Sequence, residues 1–186
     1  IWVHEGRKSE VLCLFLDALP EPTKHGILAV AIDMGLAYQK AVKQSLPNAD
    51  IVFDRFHVMQ NFSKAMQNQR RVEFRRANAS AKKLLKGSRY LLIRNQENLS
   101  DKQKIKLAKL LAENSNINAM YLLKEQLQLL WQCQTFEGMA TAIDDWCRLA
   151  EESGLLYIKK FATSLQSHKT GICNYAKHPL TTARIE

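Results

Sequence analysis

Two short apolar runs punctuate the first third of the chain, residues 27–32 (Ile-Leu-Ala-Val-Ala-Ile) and 49–53 (Ala-Asp-Ile-Val-Phe), and each is followed at once by a carboxylate, Asp33 and Asp54. Each run has the length of a buried strand. Between them, residues 36–46 carry a helical pattern that stops at Pro47-Asn48. Upstream, residues 1–5 read as a strand and Gly6-Arg7-Lys8 as a turn. Ser9 is placed to cap a helix whose Val11, Leu12, Leu14, Phe15 and Leu19 share a face, with a stop at Pro20-Glu21-Pro22. Strands alternating with helices predict an α/β domain with parallel strands. A longer helix is expected over 56–76, apolar at Val58, Phe62 and Met66 and basic elsewhere.

From Ala77 to His178 the period-2 signal disappears. Ser100 and Gln103 form a capping box ahead of Ile105, Leu107, Leu110 and Leu111. Helices are predicted over 118–131, over 136–152 with Gly154 as the residue that closes it, and over 155–176 up to His178-Pro179. Leu122, Leu129, Trp131, Met139, Ile143, Trp146 and Leu149 read as the core of this helical region. The chain thus divides into an α/β part over 1–76, a helical part over 77–178 and a short closing segment over 179–186.

With 186 residues, 46% of them hydrophobic, the chain can build a substantial core, which excludes a disordered segment. No apolar stretch approaches the roughly 20 residues that span a bilayer, so no membrane association is expected. The opening Ile1-Trp2-Val3-His4 starts in mid-strand without an initiator Met and reads as part of a longer protein. Cys13, Cys133, Cys147 and Cys173 form no CxxC pair, which argues against a zinc ribbon or a secreted disulfide framework and for thiols in a reducing cytoplasm. His168, Cys173 and His178 are five apart, but no second pair with finger-like spacing accompanies them.

Charge changes the picture more than composition does. Residues 64–109 hold 14 Lys or Arg against 3 Asp or Glu, a surplus larger than the net +9 of the whole chain, so the remainder is slightly acidic. A solvated helix face tends to mix both signs. A one-sign stripe is the footprint expected for a phosphate backbone, although an acidic protein partner would also match it. Arg70, Arg71, Arg75, Arg76, Lys82 and Lys83 are the candidate DNA-contacting residues, directed to phosphates and not to bases.

The two strand-end carboxylates are the candidate chemistry. In open α/β sheets ligands sit beyond the carboxyl ends of the strands, and acidic residues delivered there suit a hard divalent cation. Asp is also a common helix N-cap after a strand, and spacing alone leaves both readings open.

Longer motifs carry a resemblance. Asp33-Met34 followed by Tyr38, then Leu46-Pro47-Asn48-Ala49-Asp50-Ile51-Val52-Phe53-Asp54-Arg55-Phe56-His57-Val58, resembles the core of bacterial insertion-sequence transposases of the ISL type. Tyr90-Leu91-Leu92-Ile93-Arg94-Asn95 and Tyr121-Leu122-Leu123-Lys124-Glu125-Gln126-Leu127 resemble that family's helical insert, and the segment from His178-Pro179-Leu180-Thr181 to Glu186 resembles its last catalytic stretch. The likeness covers essentially the whole chain, and the Asp-Arg-Phe-His block is its most specific part.

The resemblance implies an RNase H-like core, truncated at its N-terminal strands, with a large all-helical insertion before the last catalytic helix. It implies a DDE recombinase that cleaves DNA and transfers the freed strand. Asp33 matches the second carboxylate of the triad and Glu186 the third; the first is expected upstream of this chain, so the chain alone is expected to be inactive. Asp54 and His57 match an Asp-x-x-His motif adjacent to the site. Gly35, where a larger residue often follows the Met, and Thr182-Ala183, where Asn-Gly is usual, depart from the pattern. Implied cofactors are two Mg²⁺ or Mn²⁺ ions, with Asp33 and Glu186 as ligands; such a pair activates the attacking oxygen and stabilises the leaving one. Implied partners are double-stranded DNA, at transposon ends and target, and further copies in a homo-oligomer; the implied location is the bacterial cytoplasm, at the nucleoid. A nuclease or resolvase of the same fold, or an inactive DNA-binding remnant of a transposase, is the alternative.

Overall fold

Ala29–Ile32 (β1) and Asp50–Phe53 (β2) pair in parallel, with Ala29 opposite Asp50 and Ile32 opposite Phe53. The computed structural model describes Glu5 and residues 8–180. Among the described residues these are the two strands; the rest of the regular structure is helical. The expected strand over residues 1–5 falls almost entirely outside the described residues. The architecture is a mostly helical α/β arrangement with a small parallel sheet.

The chain forms two compact units. The first takes the residues up to Val58, Trp131–Ala140 and the residues from His168 onward. It holds α1 (Ser9–Asp17), α2 (Glu21–Gly26), the sheet, α3 (Leu36–Ser45) and α11 (Lys169–Cys173). Helix α1 packs on α3, the connection between the two parallel strands, and Leu16, Ala41, Val42 and Leu46 are buried. Two expectations fail here. Ser9 is the first residue of α1 and not its cap: Lys8 has the extended cap conformation and no side chain caps the end. Pro20-Glu21-Pro22 does more than stop α1, because Pro22 stands in the first turn of α2, where its missing N–H has no helical partner to lose.

On the far side of β2 from β1 lie α11 and a 3₁₀ turn over Asn174–Ala176. The helix expected over 155–176 is therefore broken at His168. A Cβ on Gly171 would lie 2.5 Å from the Phe53 ring, so only a glycine lets α11 approach the strand this closely. Asn174 Nδ2 donates to the Ile51 carbonyl at 2.9 Å, satisfying a backbone acceptor on β2.

The second unit takes Met59–Leu130 and Thr141–Ser167. It contains most of α4 (Arg55–Arg76), then α5 (Ala79–Leu85), α6 (Arg89–Ile93), α7 (Asp101–Glu113), α8 (Ser115–Leu129), most of α9 (Phe136–Glu152) and α10 (Leu156–Ser167). The Ser100–Gln103 capping box forms, with Ser100 N donating to Gln103 Oε1 at 3.0 Å, and Gly154 has φ +66° as a helix-closing glycine requires. Phe62, Trp146 and Phe161 meet edge to face with centroids 5.1–5.6 Å apart. Met139, Ile143 and Trp146 are buried as expected, but Leu122 and Leu129 are more than half exposed. On α8 the buried positions are Ile117, Met120, Tyr121, Leu123, Lys124 and Leu127, so the inward stripe passes through Lys124 and leaves both leucines outside it.

The two insert motifs meet in this unit. Lys124 is 2% exposed; its Nζ donates to the Arg94 carbonyl at 2.9 Å, pairs with Glu125 Oε1 at 2.8 Å and sits 4.4 Å from the Tyr121 ring centroid. Gln128 Nε2 donates to Asn95 Oδ1 at 2.8 Å. Residues of the Tyr121–Leu127 motif thus hold the end of the Tyr90–Asn95 motif. Helix α4 continues its buried stripe in polar form: Gln69 Nε2 donates to Glu73 Oε1 at 2.9 Å, Asn116 Nδ2 to Glu73 Oε2 at 3.1 Å, and Tyr157 N, in the first turn of α10, to Gln69 Oε1 at 3.2 Å.

Candidate active site

Because β1 and β2 are parallel and end in register, the residues that follow them, Asp33 and Asp54, leave the sheet side by side at its carboxyl edge. The backbone ladder extends one step further, with Asp54 N donating to the Ile32 carbonyl at 3.1 Å. Neighbouring strands lie about 4.8 Å apart, so the two acidic residues start from adjacent points on one edge.

The two side chains make the same local bond. Asp33 Oδ1 accepts from Gly35 N at 2.7 Å, and Asp54 Oδ1 accepts from Phe56 N at 2.8 Å. Each is an Asx turn; the one at Asp54 holds the first turn of α4, whereas the one at Asp33 ends on Gly35, the residue before α3, whose start carries no side-chain cap. Their surroundings differ. Asp54 is fully buried, whereas Asp33 is part-exposed, and among the described residues nothing donates to its Oδ2. Asp54 thus caps α4 from inside the protein, and Asp33 retains an accessible anionic oxygen. A hard, anionic oxygen donor of this kind fits Mg²⁺ or Mn²⁺. No cluster of three acidic, His or Cys side chains able to hold a metal forms among the described residues.

Gly35 explains itself at this edge. A Cβ there would lie 2.7 Å from Asp33 Oδ1, so the glycine makes room for the carboxylate against the backbone. His57 stands in the first turn of α4, part-buried, with its ring edge-on to Phe56 at 5.5 Å. Phe56 itself is 49% exposed, a position that sequence reasoning passed over although it lies inside the most specific motif. Glu186 lies outside the described residues.

At the other end of β2, His178 Nε2 lies 3.1 Å from Asp50 Oδ2, with Lys177 Nζ 3.9 Å from the same oxygen. The stretch leading toward Glu186 is thereby tied to the start of the strand whose end carries Asp54.

The candidate DNA-contacting residues lie in the second unit, on the last turns of α4 and on α5. Arg71, Arg75, Arg76 and Lys83 are exposed. Arg70 is partly enclosed: its Nε donates to Gln67 Oε1 at 3.1 Å and its Nη1 to the Leu85 carbonyl at 3.3 Å. Burial, then the like charges of Arg71 and Arg89, push its guanidinium below the ordinary arginine value. The crowding of three guanidinium groups marks a strongly positive surface. Lys82 Nζ lies 6.0 Å from the Phe74 ring centroid.

The chain matches the transposase family of the ISL3 type over residues 1–186. It is 34% identical over 189 residues to the transposase for insertion sequence element IS1001 of Bordetella parapertussis, and 27% identical over 209 residues to the transposase for insertion sequence element IS1557 of Mycobacterium tuberculosis. Each alignment takes in 100% of this chain and 47% of the relative, so the chain spans about half the length of these curated proteins. No solved structure matches it.

Proposed function

The chain belongs to the ISL3-type family of insertion-sequence transposases, and from that premise we propose that it carries part of the catalytic core of a DNA transposase that cleaves DNA and transfers the freed strand. The observation that carries this reading is the register of β1 and β2, which delivers Asp33 and Asp54 together at one sheet edge with one carboxylate accessible and the other buried. In this reading residues 1–76 are the visible part of an RNase H-like core, 77–178 its helical insertion, and 179–186 the approach to the last catalytic carboxylate. The remaining carboxylate belongs to the part of the protein beyond this chain.

Asp33 Oδ2 and Glu186 would hold the divalent cations, Mg²⁺ or Mn²⁺. When bound, such ions polarise the scissile phosphate and lower the pKa of the attacking oxygen. The protein's own part is orientation. Gly35 N holds Asp33 Oδ1 at 2.7 Å and leaves Oδ2 without a donor among the described residues. Asp54 fixes the start of α4 and with it His57. Glu186 stands eight positions beyond His178.

Exposed Arg71, Arg75, Arg76 and Lys83 would neutralise phosphates of duplex DNA without reading its bases, with Arg70 and Lys82 adding to the positive field. The working enzyme is proposed to be a homo-oligomer acting at the bacterial nucleoid. The test uses the full-length protein and a DNA fragment carrying the element ends. Asp33→Asn and Glu186→Gln should each abolish strand cleavage while leaving binding to the ends intact. Replacing Arg71, Arg75, Arg76 and Lys83 by Ala should flatten the slope of log K against log salt on random duplex by up to about 3–4, at roughly 0.9 for each phosphate no longer neutralised. Cleavage at the wild-type rate by Asp33→Asn would overturn the assignment of the site.

A further inference from the structure

Among the described residues two aromatic side chains are largely exposed, Tyr90 at 58% in the helical unit and Phe56 at the strand-end edge. Phe53, Phe62, Trp131, Trp146 and Phe161 are at most 7% exposed, whereas Phe56 is 49% exposed. Its place is fixed. The backbone N–H of Phe56 donates to Asp54 Oδ1 at 2.8 Å, the carboxylate that receives it is fully buried, and the ring meets His57 edge-on. An apolar ring held outward by a buried anchor, at the edge where Asp33 also emerges, is not there to fill the core.

We propose that Phe56 is a DNA-positioning residue: its exposed face receives the nucleobase next to the phosphate to be cleaved. This rests on the reading of the strand-end edge as the cleavage site. The chemistry favours a base over other occupants. A scissile phosphate brought to Asp33 carries a sugar and base on each side, and an unstacked base seeks an aromatic face. Stacking on a phenyl ring is tolerant of base identity, because every base has a π-face. The neighbouring Arg55 is exposed at the positive end of a 22-residue helix, suited to the adjoining phosphate. A phenyl face holds the nucleotide and displaces water without adding a charge that would compete with the carboxylates for cations.

The experiment uses the full-length transposase and an element-end duplex with 2-aminopurine at the nucleotide flanking the cleavage position, in the absence of divalent metal. Binding should quench the fluorescence for the wild type and for Phe56→Tyr, and should not for Phe56→Ala. In metal-containing buffer Phe56→Ala should cleave about tenfold more slowly or worse, in line with the loss of one base–aromatic stack, at an unchanged melting temperature. An abasic nucleotide at the same position should slow the wild type to the level of Phe56→Ala and leave that variant unaffected. Wild-type cleavage by Phe56→Ala would overturn the proposal. So would a penalty equally large on the abasic substrate, or a lowered melting temperature with normal quenching, which would mean that the ring packs against another part of the protein. Asp33→Asn separates the two readings: inactive but normally quenching, it upholds the site whatever Phe56 does; active, it removes the site itself.

Discussion

Gly35→Ala perturbs the edge without touching a carboxylate. Gly35 has φ −70° and ψ 127°, a conformation any residue adopts, so the backbone does not resist alanine. The obstacle is Asp33 Oδ1, 2.7 Å from the position of the new Cβ. Carbon and oxygen that are not strongly bonded settle at about 3.3–3.6 Å, so one of them must move by more than half an ångström. The Asp33 side chain yields most easily, and in rotating it loses the 2.7 Å bond from Gly35 N. A typical hydrogen bond contributes about 1 kcal/mol net, more when one partner is charged; Asp33 is part-exposed, so water replaces some of that. Removing a glycine returns about 0.4–1 kcal/mol through the unfolded state. The two effects nearly cancel, and the melting temperature of Gly35→Ala should stay within a few degrees of the wild type. Function should respond differently, because a misplacement of about 1 Å at a reacting centre can cost about 10²-fold. Single-turnover cleavage of an element-end duplex by the full-length protein, beside a thermal melt, measures both. A tenfold or greater loss of rate with a preserved melt is expected. Wild-type cleavage at a preserved melt would show that the aim of Asp33 does not matter, and a collapse of the melt would show that Gly35 is needed for folding.

Two further outcomes concern the helical unit. Lys124→Met keeps the bulk but leaves the Arg94 carbonyl without its donor and Glu125 without its ion partner; with Glu125 only part-buried, the loss should be about 2–4 kcal/mol, toward the lower side of what breaking a buried pair costs. Denaturant unfolding followed by tryptophan fluorescence reads it through Trp146, whose Nε1 donates to the Leu123 carbonyl at 2.8 Å beside the substituted residue; an unchanged midpoint would refute it. Tyr121, pushed up to about 12 by burial and then by the charge of Glu125, has a folded pKa above its unfolded value near 10. Its contribution to stability is therefore intact below pH 10 and is lost as pH rises from 10 through 12. Ultraviolet titration should show one of the five tyrosines ionising late, and Tyr121→Phe should make the alkaline loss of stability shallower.

What the sequence made legible follows from how local each signal was. Both strands, α3, α4 and α9 were readable because apolar period, proline and glycine stops and strand length are properties of a few neighbouring residues. The break at His168 was not: the packing of the segment that follows it, Gly171 against the Phe53 ring, joins positions more than a hundred apart. Leu122 and Leu129 were misplaced in the core for a related reason. Hydropathy assigns a leucine inward and a lysine outward, but α8 turns its lysine in, since Lys124 finds a carbonyl, a carboxylate and an aromatic face there. The polar continuation of the α4 stripe, Gln69 and Glu73, was equally silent: each looks like a surface residue until Asn116 and Tyr157 supply its partners.

The strand-end carboxylates show the same limit at the site itself. Asp33 and Asp54 follow similar apolar runs, and each accepts the N–H two residues on, so motif and local geometry treat them alike. Burial separates them. A carboxylate with no exposure cannot surrender its protein donors for a cation without a large desolvation cost, and Asp54 is spent on holding the start of α4. Asp33 meets the same backbone demand with one oxygen and keeps the other accessible. Asp54 holds the start of α4, and Asp33, bonded to Gly35 N just ahead of α3, is the carboxylate that the proposed function assigns to the cation.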